Sequence, residues 1–142
     1  MVSLPRRHFN RDMKTFKGRV NAVLEYVKTE FPDAQVVLLT PIHRAFFTCG
    51  KNNVQPEETY PNEKGLYIEN YVDAICEGGR IWSTPVINLY AECGLCPLIE
   101  NQGPLFANPK TDRLHPSSEG HRRIALLLAT KLATFPATFK KN

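Results

Sequence analysis

Three stretches of the chain carry apolar residues at helical spacing, and two carry them without interruption. From about Arg11 to Phe31, the residues Phe16, Val20, Val23, Leu24, Val27 and Phe31 fall on one stripe, while Lys14, Lys17, Glu25 and Lys28 take the other faces. This pattern predicts an amphipathic helix, stopped by Pro32-Asp33. Next comes Gln35-Val36-Val37-Leu38-Leu39-Thr40-Pro41. A continuous β-branched and aliphatic run with no alternation suits a strand buried on both faces. Leu66, Ile68, Tyr71, Val72 and Ile75 make a second helical face over Leu66 to about Glu77, with Gly78-Gly79 expected as its cap. Pro85 to Tyr90 reads as a second buried strand. The last helix is expected from about Ser118 to Leu132, with Ile124, Leu127, Leu128 and Leu132 inward and Ser117 or Ser118 as N-cap. The intervals Thr48–Asn62 and Glu92–Lys110 are rich in Pro, Asn and Gly and read as long loops. Residues 1–10 and 136–142 are expected to be loose ends of a single domain.

The order helix, strand, helix, strand, helix is the signature of an α/β fold with a parallel sheet and helical crossovers. Two doubly buried strands need neighbours, however. Either a strand is hidden in the loops, or the chain is the later part of a larger domain.

Composition changes this picture little. The 142 residues are 42% hydrophobic and 23% charged, with a net charge of +4, which is ordinary for one globular domain. The basic residues are scattered as Arg6-Arg7, Arg122-Arg123 and Lys140-Lys141. No basic stripe with interleaved aromatics marks a nucleic-acid surface. No run is long enough to span a membrane, and Met1 to Phe9 lacks the apolar core of a signal peptide. Of the four cysteines, Cys93 and Cys96 form a Cys-x-x-Cys pair, but Gly94 and Pro97 mark it as loop, and a zinc site would want a second pair. Free thiols are expected, and no metal site.

The candidate chemistry lies in Thr111-Asp112-Arg113-Leu114-His115-Pro116-Ser117-Ser118-Glu119-Gly120-His121. An acid three residues before a histidine, on a short loop, can fix the imidazole tautomer and leave the other ring nitrogen free as a general base. In an α/β domain functional groups gather at the carboxyl ends of the strands. The loop with His43 and Arg44 leaves the first strand there, and the loop ending in Asp112 and His115 leaves the second. These four residues are thus expected near one rim, His43 and Arg44 on the substrate side. Asp-x-x-His spacing alone is also compatible with a turn-forming aspartate and a surface histidine. Arg44 could equally be a salt-bridge partner for its own loop. Trp82 reads as core packing, and Asn88, inside a buried strand, needs a hydrogen-bond partner.

Asp112-x-x-His115-Pro116, followed by Gly120-His121 and an amphipathic helix, resembles the last motif block of the SGNH hydrolases, also called GDSL esterases or lipases. The first helix followed by VVLLTPIHRAFF looks like the penultimate helix–strand unit of that fold, and LYIENYVDAI with IWSTPVINLY looks like the following helix and last strand. The resemblance covers nearly the whole chain. It implies a three-layer sandwich, a flavodoxin-like parallel sheet flanked by helices, of which the first strands are missing here. It also implies cleavage of carbohydrate, lipid or other small carboxylic esters through a Ser-His-Asp triad, without metal or organic cofactor. Asp112 would be the acid and His115 the base.

The family's Gly-Asp-Ser nucleophile block and Gly-x-Asn-Asp block are absent. The serines are Ser3, Ser83, Ser117 and Ser118, and none follows Gly-Asp. Ser118 is expected to cap a helix, Ser83 lies at the wrong end of its strand, and Cys49 and Cys93 sit in loops near the correct rim. No nucleophile is identified. The resemblance therefore implies the C-terminal half of such a domain. The resemblance is to a bacterial branch of lipases or acylhydrolases, whose members are often exported. Two rival expectations stand beside it. One is a catalytically inactive remnant, whose uncovered edge at Val36–Leu39 invites self-association. The other is a binding module that uses the rim around Arg44 for an anionic ligand.

Overall fold

The computed structural model describes residues 10–49, 53–55 and 57–141. Helix α1 spans Phe16–Glu30 and starts later than the apolar stripe suggests. Thr15 is its N-cap: the hydroxyl accepts from Gly18 N–H at 3.0 Å and donates to Asp12 O at 2.9 Å. Residues 12–15 therefore form a turn rather than part of the helix. Most of the loose segment expected for residues 1–10 lies outside the described residues. Asn10 is tied down, its carbonyl accepting from Asn21 Nδ2 at 2.8 Å.

Strand β1 (Leu38–Leu39) pairs in parallel with β4 (Val86–Ile87), Leu38 opposite Val86 and Leu39 opposite Ile87. The crossover between them contains α2 (Ile68–Ile81). The chain is thus mixed α/β with a small parallel sheet. Both strands are shorter than the apolar runs, because β1 has a partner on one side only among the described residues. Leu38 N and Thr40 N donate to Pro85 O (2.9 Å) and Ile87 O (3.2 Å). The polar groups of Leu39 face the other edge. Leu39 is 43% exposed rather than doubly buried, and Phe16, Val23 and Phe31 of the α1 stripe are exposed with it.

Gly78 and Gly79 do not cap α2. The helix runs through them to Ile81, with Trp82 at the C-cap. Their role is close approach. A Cβ on Gly78 would stand 2.6 Å from Val20 Cγ1, and one on Gly79 would stand 2.3 Å from Val86 Cγ2 and 2.8 Å from Thr84 O. Without side chains they let α2 lie against both α1 and β4. Trp82 is partly buried, and its indole N–H donates to buried Asn21 at 3.0 Å.

Asn88 ends β4 instead of lying inside it. It caps the short helix α3 (Leu89–Glu92), accepting from Ala91 N–H at 3.2 Å and from the Thr40 hydroxyl at 3.1 Å. Tyr90 N–H donates to Thr40 Oγ1 at 3.1 Å. This polar knot joins the carboxyl ends of β1 and β4.

The two stretches expected as loops hold further strands. A four-stranded antiparallel sheet runs β3 (Asn53–Gln55), β2 (Phe47–Cys49), β6 (Asp112–Pro116), β5 (Phe106–Asn108). A 3-10 helix, Glu100–Leu105, leads into β5. Ile87, Leu89, Cys93, Leu95, Leu105 and Phe106 form the buried core. Helix α4 (Ser118–Leu132) covers it with Ile124, Leu127 and Leu128. Leu132, expected inward, is exposed at the helix end. The tail after Phe135 is held rather than loose: Phe139 N–H and the Thr138 hydroxyl both donate to Asp33 O at 2.9 Å. No helix among the described residues is long and apolar enough to cross a membrane.

Candidate active site

Asp112 and His115 lie on a strand, not on a loop. β6 is bulged: its residues Asp112 to Pro116 span only Asn108 to Phe106 of β5. The extra length closes a turn around the Asp112 carboxylate, whose Oδ1 accepts from Leu114 N–H at 3.1 Å and His115 N–H at 2.9 Å. That turn brings the His115 ring back over the acid. His115 Nδ1 stands 2.9 Å from Asp112 Oδ2 and 3.2 Å from Oδ1. Phe47 on β2 meets the imidazole edge-on, with centroids 4.9 Å apart. The Asp112 side chain is 15% exposed and that of His115 57%.

Burial pushes the Asp112 carboxyl up. Hydrogen bonds from the His115 N–H and ring and from the Leu114 N–H outweigh it, so its pKa lies below the ordinary carboxylate value. Asp112 is therefore ionised at neutral pH and can only accept. His115 Nδ1 must carry the hydrogen, which leaves Nε2 as the acceptor nitrogen of the neutral ring.

Arg113, between the two, carries no signal in the sequence. It is buried and donates to Pro109 O at 2.8 Å, Pro97 O at 3.0 Å and Glu100 Oε2 at 2.9 Å. This guanidinium ties the 97–109 segment to the strand carrying the acid and the imidazole. An arginine in a polar stretch bears no pattern that separates a buried clamp from a surface charge.

Residues 45–47 run beside β6, with Ala45 N–H donating to Arg113 O at 3.1 Å and Arg113 N–H to Phe46 O at 2.9 Å. His43 and Arg44 thus enter the same end of the molecule, but no hydrogen bond or ion pair joins either to Asp112 or His115. His43 Nδ1 is 2.7 Å from Glu58 Oε1, and its ring stacks on Tyr90 with centroids 3.6 Å apart. Burial, with Glu58 and Glu69 nearby, pushes the Tyr90 hydroxyl well above its usual range. Glu58 Oε2 also accepts from Arg44 N–H at 3.0 Å. The Arg44 side chain lines a cleft of about 580 Å³ together with Leu114 of β6. His115 does not line that cleft. The dyad and the cleft are neighbours through Leu114, not one cavity.

Among the side chains described, no local group takes the nucleophile's place; Ser3 and the side chain of Cys49, the other candidate thiol, lie outside the described residues. Ser117, not Ser118, caps α4: its hydroxyl donates to Pro104 O at 2.9 Å and accepts from Gly120 N–H at 3.3 Å. Ser83 precedes β4 at the opposite end of the sheet, with φ at 50°. Cys93 is buried, and burial pushes its thiol up, against only partial relief from backbone hydrogen bonds. That is the reverse of an activated thiolate. Cys76, Cys93 and Cys96 are free thiols. No group of three or more His, Cys, Asp or Glu among the described residues could hold a metal ion.

No protein-family model and no curated protein matches the sequence. Solved structures do match it. One crystal structure superposes with a TM-score of 0.75 at 29% identity, over 93% of this chain and 58% of that one. A protein from Lactobacillus plantarum gives 0.74 at 25% identity, over 92% of this chain and 59% of its own. A third, described as a possible lipase from Chitinophaga pinensis, gives 0.62 at 21% identity, over 79% of this chain and 57% of its own. That identity speaks to fold alone. The chain spans less than three fifths of the length of each of these structures.

Proposed function

We propose that this chain is the later part of a serine ester hydrolase domain of SGNH type. β1 and β4 would be two strands of a larger parallel sheet covered by helices on both faces, and the nucleophilic serine would come from outside these 142 residues. The observation that carries this reading is the contact of 2.9 Å between Asp112 and His115 Nδ1, with the ring more than half exposed. The ionised carboxylate fixes the tautomer. Nε2 then takes the proton of an attacking hydroxyl, and the negative charge of Asp112 stabilises the imidazolium that forms. His115 returns that proton to the leaving alcohol, and water repeats the cycle on the acyl-enzyme. This chemistry calls for no cofactor. The structural neighbour described as a possible lipase agrees with this class of reaction.

The genomic sequence immediately upstream of the Met1 codon provides the test. An in-frame Gly-Asp-Ser block, expressed with the chain as one protein, should hydrolyse 4-nitrophenyl acetate. His115→Ala should then lower kcat/KM by roughly 10³-fold or more. A stop codon upstream, with no turnover by the 142-residue chain, would leave a non-catalytic remnant instead. Turnover by this chain alone would contradict the missing serine.

A further inference from the structure

We propose that the cleft beside Arg44 binds small amphiphilic monoanions, an apolar chain or ring ending in a carboxylate, and that it does so independently of any hydrolysis. The walls are mostly apolar: Phe16, Ile42, Leu66, Ile68, Tyr71 and Leu114. They come from α1, the loop after β1, the segment entering α2 and β6, so the cleft is built by several separate stretches of chain rather than by one loop. Phe16 and Tyr71 brace each other edge-to-face with centroids 4.9 Å apart. Tyr71 Oη accepts from Asn62 Nδ2 at 2.7 Å. A ligand filling such a space must be largely apolar.

Arg44 supplies the polar end. Its guanidinium forms no hydrogen bond or ion pair with any described residue; Nε is screened from solvent, which leaves the two terminal Nη groups as the donors for a bound anion. A guanidinium at the wall of an apolar cleft with no acceptor among the described residues takes an anionic ligand as its natural partner. Glu58, the acid lining the same cleft, does not fill that role. Its two oxygens are taken by His43 Nδ1 at 2.7 Å and by the backbone N–H of Arg44 at 3.0 Å. One guanidinium in an apolar space fits a single carboxylate, held by a forked pair of N–H donors, better than a multiply charged phosphate.

Isothermal titration with octanoate, octanol and octylamine tests this directly, because none of the three has an ester bond to cleave. Octanoate should bind about tenfold or more tightly than octanol, and octylamine should bind least. Arg44→Gln should remove the preference for octanoate over octanol, while Arg44→Lys, which keeps the charge but not the fork, should retain part of it. A thermal melt of each variant checks that the fold survives. Equal binding of octanoate and octanol by the parent chain, or an unchanged preference in folded Arg44→Gln, would overturn the proposal. So would the absence of octanoate binding. None of these outcomes bears on whether Asp112 and His115 are catalytic.

Discussion

Replacing Arg113 with leucine should loosen the scaffold of the dyad by a predictable amount. Three hydrogen bonds are lost, and they are not equivalent. The pair with Glu100 is weak support, because the Glu100 side chain is 89% exposed and such pairs contribute about 0–1 kcal/mol. The bond to Pro97 O is fully buried, and leaving that carbonyl without a donor costs about 1–3 kcal/mol. The bond to Pro109 O is partly buried, so water can replace it at a cost nearer about 1 kcal/mol. Against this, leucine offers an apolar side chain to a buried site and spares the desolvation of a guanidinium. Leucine is shorter, however, and cannot fill the space where the guanidinium lies under Gly103, so close that a Cβ on this glycine would stand 3.2 Å from Arg113 Nη2. The net loss should be about 2 kcal/mol. Urea unfolding of parent and variant, followed by circular dichroism, measures it as a lower midpoint at constant slope. An unchanged midpoint would show that the three bonds are not what fixes the 97–109 segment to β6.

Three further outcomes are expected. Gly120→Ala should destabilise the chain by about 1–3 kcal/mol in the same unfolding experiment, because a Cβ there would stand 2.2 Å from Leu105 O and 2.9 Å from Pro116 Cβ; a neutral or stabilising result would mean that α4 can slide away from the 3-10 helix freely. The lowered pKa of Asp112 gives stability that is present above the ordinary carboxylate pKa and is lost as pH falls through the folded value; Asp112→Asn should therefore flatten the acid limb of the stability–pH curve, and identical limbs for parent and variant would contradict this. The edge of β1 that has no partner among the described residues should pair with a second copy of the chain, so Leu39→Lys, at a residue 43% exposed beside that edge, should shift sedimentation velocity toward monomer; a parent that is already a monodisperse, cooperatively melting monomer would refute the edge pairing.

The elements legible in the sequence are those whose burial is one-sided and local. Helices α1, α2 and α4 announce themselves by an apolar stripe; α4 spans the expected residues, and the predicted spans of α1 and α2 differ from the observed ones only at the ends. Those ends are set by particular atoms, such as the Thr15 hydroxyl at the start of α1 and the Cβ-free passage of Gly78 and Gly79 past Val20 and Val86. Glycine pairs signal helix ends and helix contacts alike, and only the neighbour decides between them. The antiparallel strands are not legible, because β2, β3 and β5 are three residues each. So short a strand has no room for a period-two pattern, and its pairing is long-range.

The candidate site shows the same division in chemical form. Asp112 and His115 can be read from spacing because the turn that joins them is built from their own backbone: the carboxylate that accepts from the ring also accepts from two successive N–H groups. The geometry is local, so four residues contain it. His43 and Arg44 can be placed at the correct end of the sheet, but not assigned partners, because Glu58 and Tyr90 arrive from 15 and 47 residues away. The buried Arg113 is the extreme case. Its partners lie on irregular chain that carries no hydrophobic pattern, so its role exists only once the fold does. A substitution that breaks the Asp112 turn should therefore act on the dyad directly, whereas one at Arg113 should reach the dyad only through the segment it anchors. Arg113, one of the two residues between the acid and the base, is thus the one whose loss separates the stability of the site from its chemistry.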